Sequence, residues 1–107
     1  MGDHKEFRKH ARQPLDGRLR ISWQDANGAT RQCNGRIVDA SESGFRIVLP
    51  ERLELRSYVY LRVERYNFKT MACVRYCVRS GINCAAGLEF SGGVRFPVLQ
   101  FLSEAAA

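Results

Sequence analysis

The sequence predicts an all-β fold, a small antiparallel barrel or closed sheet that ends in one helix. Six short segments have the composition of strands, turn-forming residues separate them, and a helical pattern appears only near the C-terminus. The 107 residues suffice for one small domain with a single core. We therefore expect six strands around that core, followed by a short C-terminal helix.

Three strands are expected in the first half of the chain. Residues 18–23 alternate polar and apolar side chains, and an Asn-Gly turn follows them. β-Branched residues then indicate strands at about residues 31–38 and 45–49. Between these two lies a polar turn, residues 39–44, in which Gly44 is expected to adopt a positive φ.

Three more strands are expected in the second half, at residues 58–64, 68–79 and 82–90. In the longest of them every second residue is predicted to face the core. These residues are Phe68, Thr70, Ala72, Val74, Tyr76 and Val78. After Gly92-Gly93 the pattern becomes helical, and Pro97 suits the first turn of the helix. Its apolar side is predicted to carry Val98, Leu99, Phe101 and Leu102.

The first fourteen residues are expected to lie outside the core. They are polar and basic, and Phe7 is their one large apolar side chain, which is too little to fold the segment on its own. The sequence therefore divides into a flexible basic arm at residues 1–14 and a barrel with its helix at residues 15–104.

The charge of the chain favours anionic partners. Seventeen Lys and Arg against eleven Asp and Glu give a formal net charge of +6 and an isoelectric point near 9.6. A nucleotide, a nucleic acid or an acidic membrane surface each fits this balance. Because no apolar run approaches the roughly 18 residues of a membrane span and no signal peptide is evident, we expect a cytoplasmic protein without membrane insertion.

Neither a metal site nor an enzyme active site is expected. If Cys73 and Cys77 lie on one strand, they are about 13 Å apart at ~3.3 Å per residue, too far to chelate one zinc ion. Cys33 and Cys84 add no ligand spacing, so free thiols are the expectation. The chain also has no set of nucleophile, base and orienting group, and no phosphate-loop fingerprint. We expect no catalytic residues and no cofactor.

Two short motifs have the chemistry of a guanine-nucleotide site. Arg8 and Arg12, with Lys9 between them, offer planar donor forks that fit guanine O6 and N7, bind phosphate and stack on bases. Asp39 offers an acceptor for guanine N1–H and N2–H₂.

The turn between the second and third strands suits the phosphates of the same ligand. Ser41, Ser43 and the backbone N–H groups near Gly44 are candidate phosphate donors. Arg46 and Arg36 lie close enough in sequence to contact phosphate as well, although exposed strand arginines are more often solvated.

The motifs together resemble those of a known family. Arg8-Lys9-His10-Ala11-Arg12, the turn Asp39-Ala40-Ser41-Glu42-Ser43-Gly44 and Gly87-Leu88-Glu89-Phe90 are similar to the R-x-x-x-R, (D/N)-x-S-x-x-G and terminal G-h-x-F signatures of PilZ domains. Each motif is weak alone, but their order and the two strands between the first and second make the combination specific. The resemblance extends from about Phe7 to Leu102.

This resemblance implies a six-stranded antiparallel barrel with a C-terminal helix that binds the bacterial second messenger cyclic di-GMP. It implies that Arg8 and Arg12 hold the guanines while Asp39, Ser41 and Gly44 line the barrel opposite. A stand-alone receptor of this kind is expected to signal by docking its arm when the ligand binds, and so to present a new surface to a protein effector.

Other functions remain open on the sequence. Small basic β-barrels commonly bind nucleic acid, and Tyr58, Tyr60 and Phe68 are candidate stacking platforms that serve equally well as wall packing. We regard nucleic acid as the less favoured partner, because the intact motifs indicate a nucleotide. A pure interaction module with a vestigial pocket is a third hypothesis, which the intact motifs also disfavour.

Overall fold

A computed structural model of the chain describes residues 12–101. Six antiparallel strands form a closed barrel in the order β1-β2-β3-β6-β5-β4, which confirms the predicted fold. The strands are β1 Gln13–Gln24, β2 Thr30–Ser41, β3 Gly44–Leu49, β4 Tyr58–Val63, β5 Phe68–Ser80 and β6 Asn83–Phe90. A single 3₁₀ turn, Glu64–Tyr66, connects β4 to β5, and residues 98–101 are helical.

The barrel encloses one apolar core because its strands alternate inward apolar and outward polar residues. In β4, for example, Val59, Leu61 and Val63 are buried while the residues between them are exposed. At one end of the barrel, aromatic rings fill the core. Phe45, Phe68, Phe90 and Phe96 make edge-to-face contacts with ring centroids 4.9–5.9 Å apart.

The predicted inward face of β5 is correct only in its first half. Thr70, Ala72 and Val74 are buried, but the pairing of β5 with β6 shifts between Val74 and Tyr76. A bulge inserts one extra residue into a strand and reverses the alternation after it. Tyr76 and Val78 therefore point outward and are 37% and 55% exposed.

The C-terminal segment covers the aromatic end of the barrel. Phe96 and Val98 are buried and Phe101 packs against the core, whereas Leu99 is 65% exposed and does not belong to the apolar side predicted for it. Leu102 lies outside the described residues.

The division of the chain into an arm at residues 1–14 and a barrel at 15–104 stays a prediction, since residues 1–11 also lie outside the description. β1 itself begins at Gln13. Among residues 12–101, no helix is long and apolar enough to cross a membrane.

Candidate ligand-binding site

Two arginines converge on Asp39 at the outer surface of the barrel. Arg46 donates from Nε and NH2 to Oδ2 of Asp39 at 2.9 and 2.6 Å, and Nε also lies 3.2 Å from Oδ1. Arg12 donates from NH1 to Oδ1 at 3.1 Å. β2 and β3 bring Asp39 and Arg46 together because these residues are direct partners across the strand pair. One carboxylate thus holds two guanidinium groups.

This cluster carries an excess positive charge at the surface. The Asp39 side chain is 12% exposed, while those of Arg12 and Arg46 are 36% and 49% exposed. The hydrogen bonds and the negative charge of Asp39 raise the pKa of Arg46 above its ordinary value, so that this arginine stays cationic. Each guanidinium has five N–H donors, of which Asp39 uses only part. The remaining donors are available to an anionic ligand.

The turn between β2 and β3 is held by its serines. The Ser43 N–H donates to Ser41 Oγ at 3.2 Å, and the Ser41 hydroxyl lies 3.5 Å from the Gly44 carbonyl oxygen. Ser41 is buried and Ser43 is half-buried. Ser41 therefore shapes the turn from inside, while Ser43 lies nearer the surface.

Gly44 does not have the positive φ expected from the sequence. The described glycines with positive φ are Gly28, Gly81, Gly92 and Gly93. Gly44 is instead the first residue of β3, and a Cβ at this position would overlap the carbonyl oxygen of Leu88 in β6. Glycine is required here because two backbones approach closely.

Tyr76 and Gly87 belong to the same surface, although neither was predicted as a site residue. Across the barrel wall, Tyr76 pairs with Gly87, Gly87 with Arg46, and Arg46 with Asp39. The Tyr76 ring lies directly over Gly87, where a Cβ would overlap it. Tyr76 also contributes to the raised pKa of Arg46 through a hydrogen bond. The glycine of the Gly87-Leu88-Glu89-Phe90 motif is the one sequence feature that could have indicated Tyr76. A glycine at this position leaves room for an aromatic ring on the neighbouring strand.

Backbone contacts connect the turn to the C-terminal segment. The Phe96 N–H donates to the Glu42 carbonyl at 2.8 Å, and the Phe90 N–H donates to the Ser43 carbonyl at 2.9 Å. Arg95 and Glu42 form an ion pair at 3.6 Å. The segment that leads into the helix is therefore held against the turn that carries Ser43 by a backbone hydrogen bond and an ion pair, both to Glu42.

The remaining predicted site residues do not join this cluster. Arg36 is exposed on β2 and makes no ion pair with the described residues. Arg8 and Lys9 lie outside residues 12–101, so their roles stay predictions. Phe68 packs into the aromatic end of the core and is not a stacking platform, whereas Tyr58 and Tyr60 are 60% and 39% exposed.

The cysteines are free thiols and form no cluster. Cys77 is buried and Cys73 is half-buried. The bulge in β5 places them on opposite faces, which corrects the expectation that they share one. Burial raises the pKa of the Cys33 and Cys77 thiols, so both stay protonated near neutral pH. Within the part of the chain that the structure describes, no three His, Cys, Asp or Glu residues are grouped to hold a metal ion.

Comparison with known proteins identifies one family. The model of the PilZ domain matches residues 6–103, which is nearly the whole chain. A search of the curated proteins finds no match.

Proposed function

This chain belongs to the PilZ domain family, whose members are receptors for cyclic di-GMP, and we propose that it binds this nucleotide where Arg12, Asp39 and Arg46 meet. The observation that carries the proposal is the pair of guanidinium groups held by one carboxylate at the barrel surface. The protein would act without a cofactor, as a receptor in the bacterial cytoplasm.

Each group of the cluster has a defined task in this proposal. Arg12 and Arg46 present planar forks that fit guanine O6 and N7 or a phosphate. Asp39 fixes the direction of both forks, and a carboxylate that accepts several hydrogen bonds can still accept one from a guanine N–H at its free lone pairs. Arg8 and Lys9 would supply further positive charge from the arm.

The turn and Tyr76 complete the ligand site. Ser43 and the backbone N–H groups of the turn are donors for a phosphate oxygen. The Tyr76 ring lies over Gly87, which is the direct partner of Arg46 on the strand between them, and there it can pack against a guanine base. Ser41 would act indirectly, because its buried hydroxyl holds the turn in shape.

Signalling would follow from docking of the arm. The arm carries Arg8 and Arg12, while Asp39 and Arg46 lie on the barrel. Arg12 already contacts Asp39, and a dianionic ligand bound beside this contact would offset the repulsion among the arginines and offer base faces for stacking. The docked arm and the adjacent barrel would then form the surface that a protein effector reads.

Calorimetric titration tests the ligand. We expect a saturable heat with cyclic di-GMP, and little or none with GTP or a single-stranded oligonucleotide of matched charge. Selectivity for cyclic di-GMP should persist as salt is raised, whereas the affinity of a polyanion binder falls steeply. Equal binding of all three ligands, or no heat with cyclic di-GMP, would refute the proposal.

Amide hydrogen exchange tests the docking of the arm. Residues 5–11 should exchange quickly in the free protein and become protected when cyclic di-GMP is added. The amide of Phe96, which is already bonded to Glu42, serves as an internal reference. Protection of the arm before titration, with no later change, would leave a preformed site and rule out the switch.

A further inference from the structure

A second surface of the barrel carries positive charge that the nearby acidic side chains offset only in part. On the outside of β1, β4 and β5, Arg20 pairs directly with Arg62, and Arg62 pairs directly with Lys69. On the neighbouring β2, Arg36 is the direct partner of Arg18. Like charges at directly paired positions destabilise a sheet. The fold thus retains several unfavourable pairs in one place.

The described acidic residues neutralise little of this charge. Glu64 approaches Arg62 at 3.8 Å, but its side chain is 81% exposed, so the contact is weak. Arg18, Arg20 and Lys69 form no ion pair within residues 12–101. Five arginines and two acidic residues, Asp16 and Glu64, line a groove of about 630 Å³, so positive charge predominates there. A groove of this kind is suited to carboxylates or phosphates.

The adjacent rows of the same surface are aromatic and apolar. Tyr60 is paired with Met71, and Tyr58 with Cys73, next to the row of Arg20, Arg62 and Lys69. Tyr58, Tyr60 and Met71 are 60%, 39% and 44% exposed. Tyr, Met and Arg are the residue types enriched at protein interfaces. A nucleic acid uses aromatic rings and cations but gains nothing specific from an exposed methionine opposite Tyr60.

We propose that this surface, formed by Arg20, Tyr58, Tyr60, Arg62, Lys69 and Met71, docks an acidic segment of a protein partner that also carries apolar side chains. We name it the basic-tyrosine face. Carboxylates of the segment pair with Arg20, Arg62 and Lys69, and its apolar side chains cover Tyr60 and Met71. Charge complementarity defines the occupant, because the arginines find no sufficient acceptor within the described barrel.

The basic-tyrosine face is separate from the Arg12–Asp39–Arg46 cluster. Asp39 and Arg46 lie on β2 and β3, and Arg12 directly precedes β1, whereas the face is formed by Arg20 in the middle of β1, by β4 and by Lys69 and Met71 near the start of β5. The proposal therefore does not depend on whether cyclic di-GMP binds. The pair of Arg18 and Arg36 lies between the two surfaces.

Synthetic probes test the chemistry of the partner. The probes are an amphipathic helical peptide of Glu and Leu, a polyglutamate of equal charge and a single-stranded oligonucleotide of equal charge, each titrated into the isotope-labelled protein. We expect the Glu–Leu peptide to bind at least about tenfold more tightly than polyglutamate. It should shift the amide resonances of Tyr60, Arg62 and Met71.

Matched variants make the test specific. Arg20→Gln with Arg62→Gln should weaken binding of the peptide by about tenfold or more. Arg52→Gln with Arg79→Gln removes the same charge from exposed positions elsewhere and should leave it unchanged. Both double variants should retain the wild-type response to cyclic di-GMP. An equal loss in both would mean that net charge alone attracts the peptide, which contradicts the proposal.

Thermal melting provides an independent readout. If Arg20 and Arg62 are kept for binding, their replacement by Gln should raise the melting temperature at low salt, because a repulsive pair is removed. A structural role predicts a decrease. Tighter binding of the oligonucleotide than of the Glu–Leu peptide would assign the face to nucleic acid, and the absence of localised shifts with any probe would overturn the proposal.

Discussion

The carboxylate of Asp39 sets the positions of two arginine side chains in the site. The motif indicates an acceptor for a guanine edge, but the carboxylate also holds Arg12 and Arg46 in place. A substitution at Asp39 therefore alters three side chains, and the arginines are the cleaner positions at which to test ligand contact.

Arg12 is expected to act through the shape of its guanidinium as well as its charge. Arg12→Ala should weaken cyclic di-GMP binding by about 1–3 kcal/mol if a bidentate guanine contact is lost. Arg12→Lys should restore little of it, since an ammonium group has no planar fork. Arg46→Lys should behave in the same way. Calorimetry measures these affinities, with Arg52→Lys as the control.

Full affinity in the lysine variants would show that charge alone matters at these positions. Melting temperatures should stay near the wild-type value, because both arginine side chains are partly exposed.

Gly44 and Gly87 are tightly packed for different reasons, and alanine distinguishes them. A Cβ at Gly44 meets the fixed carbonyl of Leu88, whereas a Cβ at Gly87 meets the Tyr76 ring, which can rotate away. Gly44→Ala should lower the free energy of unfolding by about 1–3 kcal/mol or more. Gly87→Ala should cost less stability but weaken cyclic di-GMP binding, if Tyr76 packs on the base.

Chemical denaturation and titration of both variants separate these effects. Gly17→Ala serves as a control because its new Cβ would make ordinary contacts. A Gly44→Ala protein as stable as the wild type would contradict the close approach of β3 and β6.

At the scale of single elements, the C-terminal segment acts as the cover of the aromatic core. Phe96 is fully buried, and its ring contacts those of Phe45, Phe68 and Phe101. Phe96→Ala should reduce the free energy of unfolding by about 3–5 kcal/mol. Because native domains have only about 5–15 kcal/mol in total, this loss removes a large share of the stability and should lower the urea midpoint clearly.

Leu99→Ala is the matched comparison in the same segment, since Leu99 is largely exposed and its loss should change stability by less than about 0.5 kcal/mol. Urea denaturation compares the two variants. Similar losses for both would mean that the segment does not close the core in solution.

The bulge in β5 determines the environment of Cys77. It turns Cys77 inward, where burial raises the pKa of the thiol and Sγ accepts a hydrogen bond from the Leu53 N–H at 3.3 Å. A pKa that is higher in the folded than in the unfolded state favours folding below the ordinary thiol pKa. That contribution is lost as the pH rises through the folded value.

Urea denaturation should therefore show that the free energy of unfolding falls between neutral pH and about pH 10. This fall should be smaller in Cys77→Ser than in the wild type. Serine keeps an acceptor for Leu53 but does not titrate in this range. An identical decrease in both proteins would place the alkaline effect elsewhere.

The same bulge marks the limit of prediction from the sequence. Turn residues and β-branched runs predicted the six strands, because their local chemistry specifies each element. Strict alternation placed Tyr76 inside the barrel, and one extra residue moved it to the outer surface. A bulge depends on the partner strand, so period-2 reasoning within a single segment cannot detect it.

At the scale of the whole molecule, long-range pairing brings the site together. The motifs predicted that Asp39 and Arg12 share a site, and Arg46 was predicted to contact the same ligand because it lies close to the turn. In the structure, both arginines contact Asp39 at the outer surface. The row from Tyr76 through Gly87 to Arg46 requires β5, β6 and β3 to be neighbours. The closed barrel makes these three strands neighbours. The periodicity of the sequence did not define this order, because it was consistent with either a barrel or a closed sheet.

The closure between β1 and β4 has a consequence for the lifetime of the protein in the cell. These strands pair at three positions, Arg20–Arg62, Ile21–Leu61 and Ser22–Tyr60, whereas β1 pairs with β2 along most of its length. The short contact contains a repulsive arginine pair, so it is the place where the barrel should open first. An opened barrel exposes strand edges to proteases and to other copies of the chain. Carboxylates bound across Arg20 and Arg62 would hold the contact closed, so that molecules without their partner are degraded sooner than molecules in the complex.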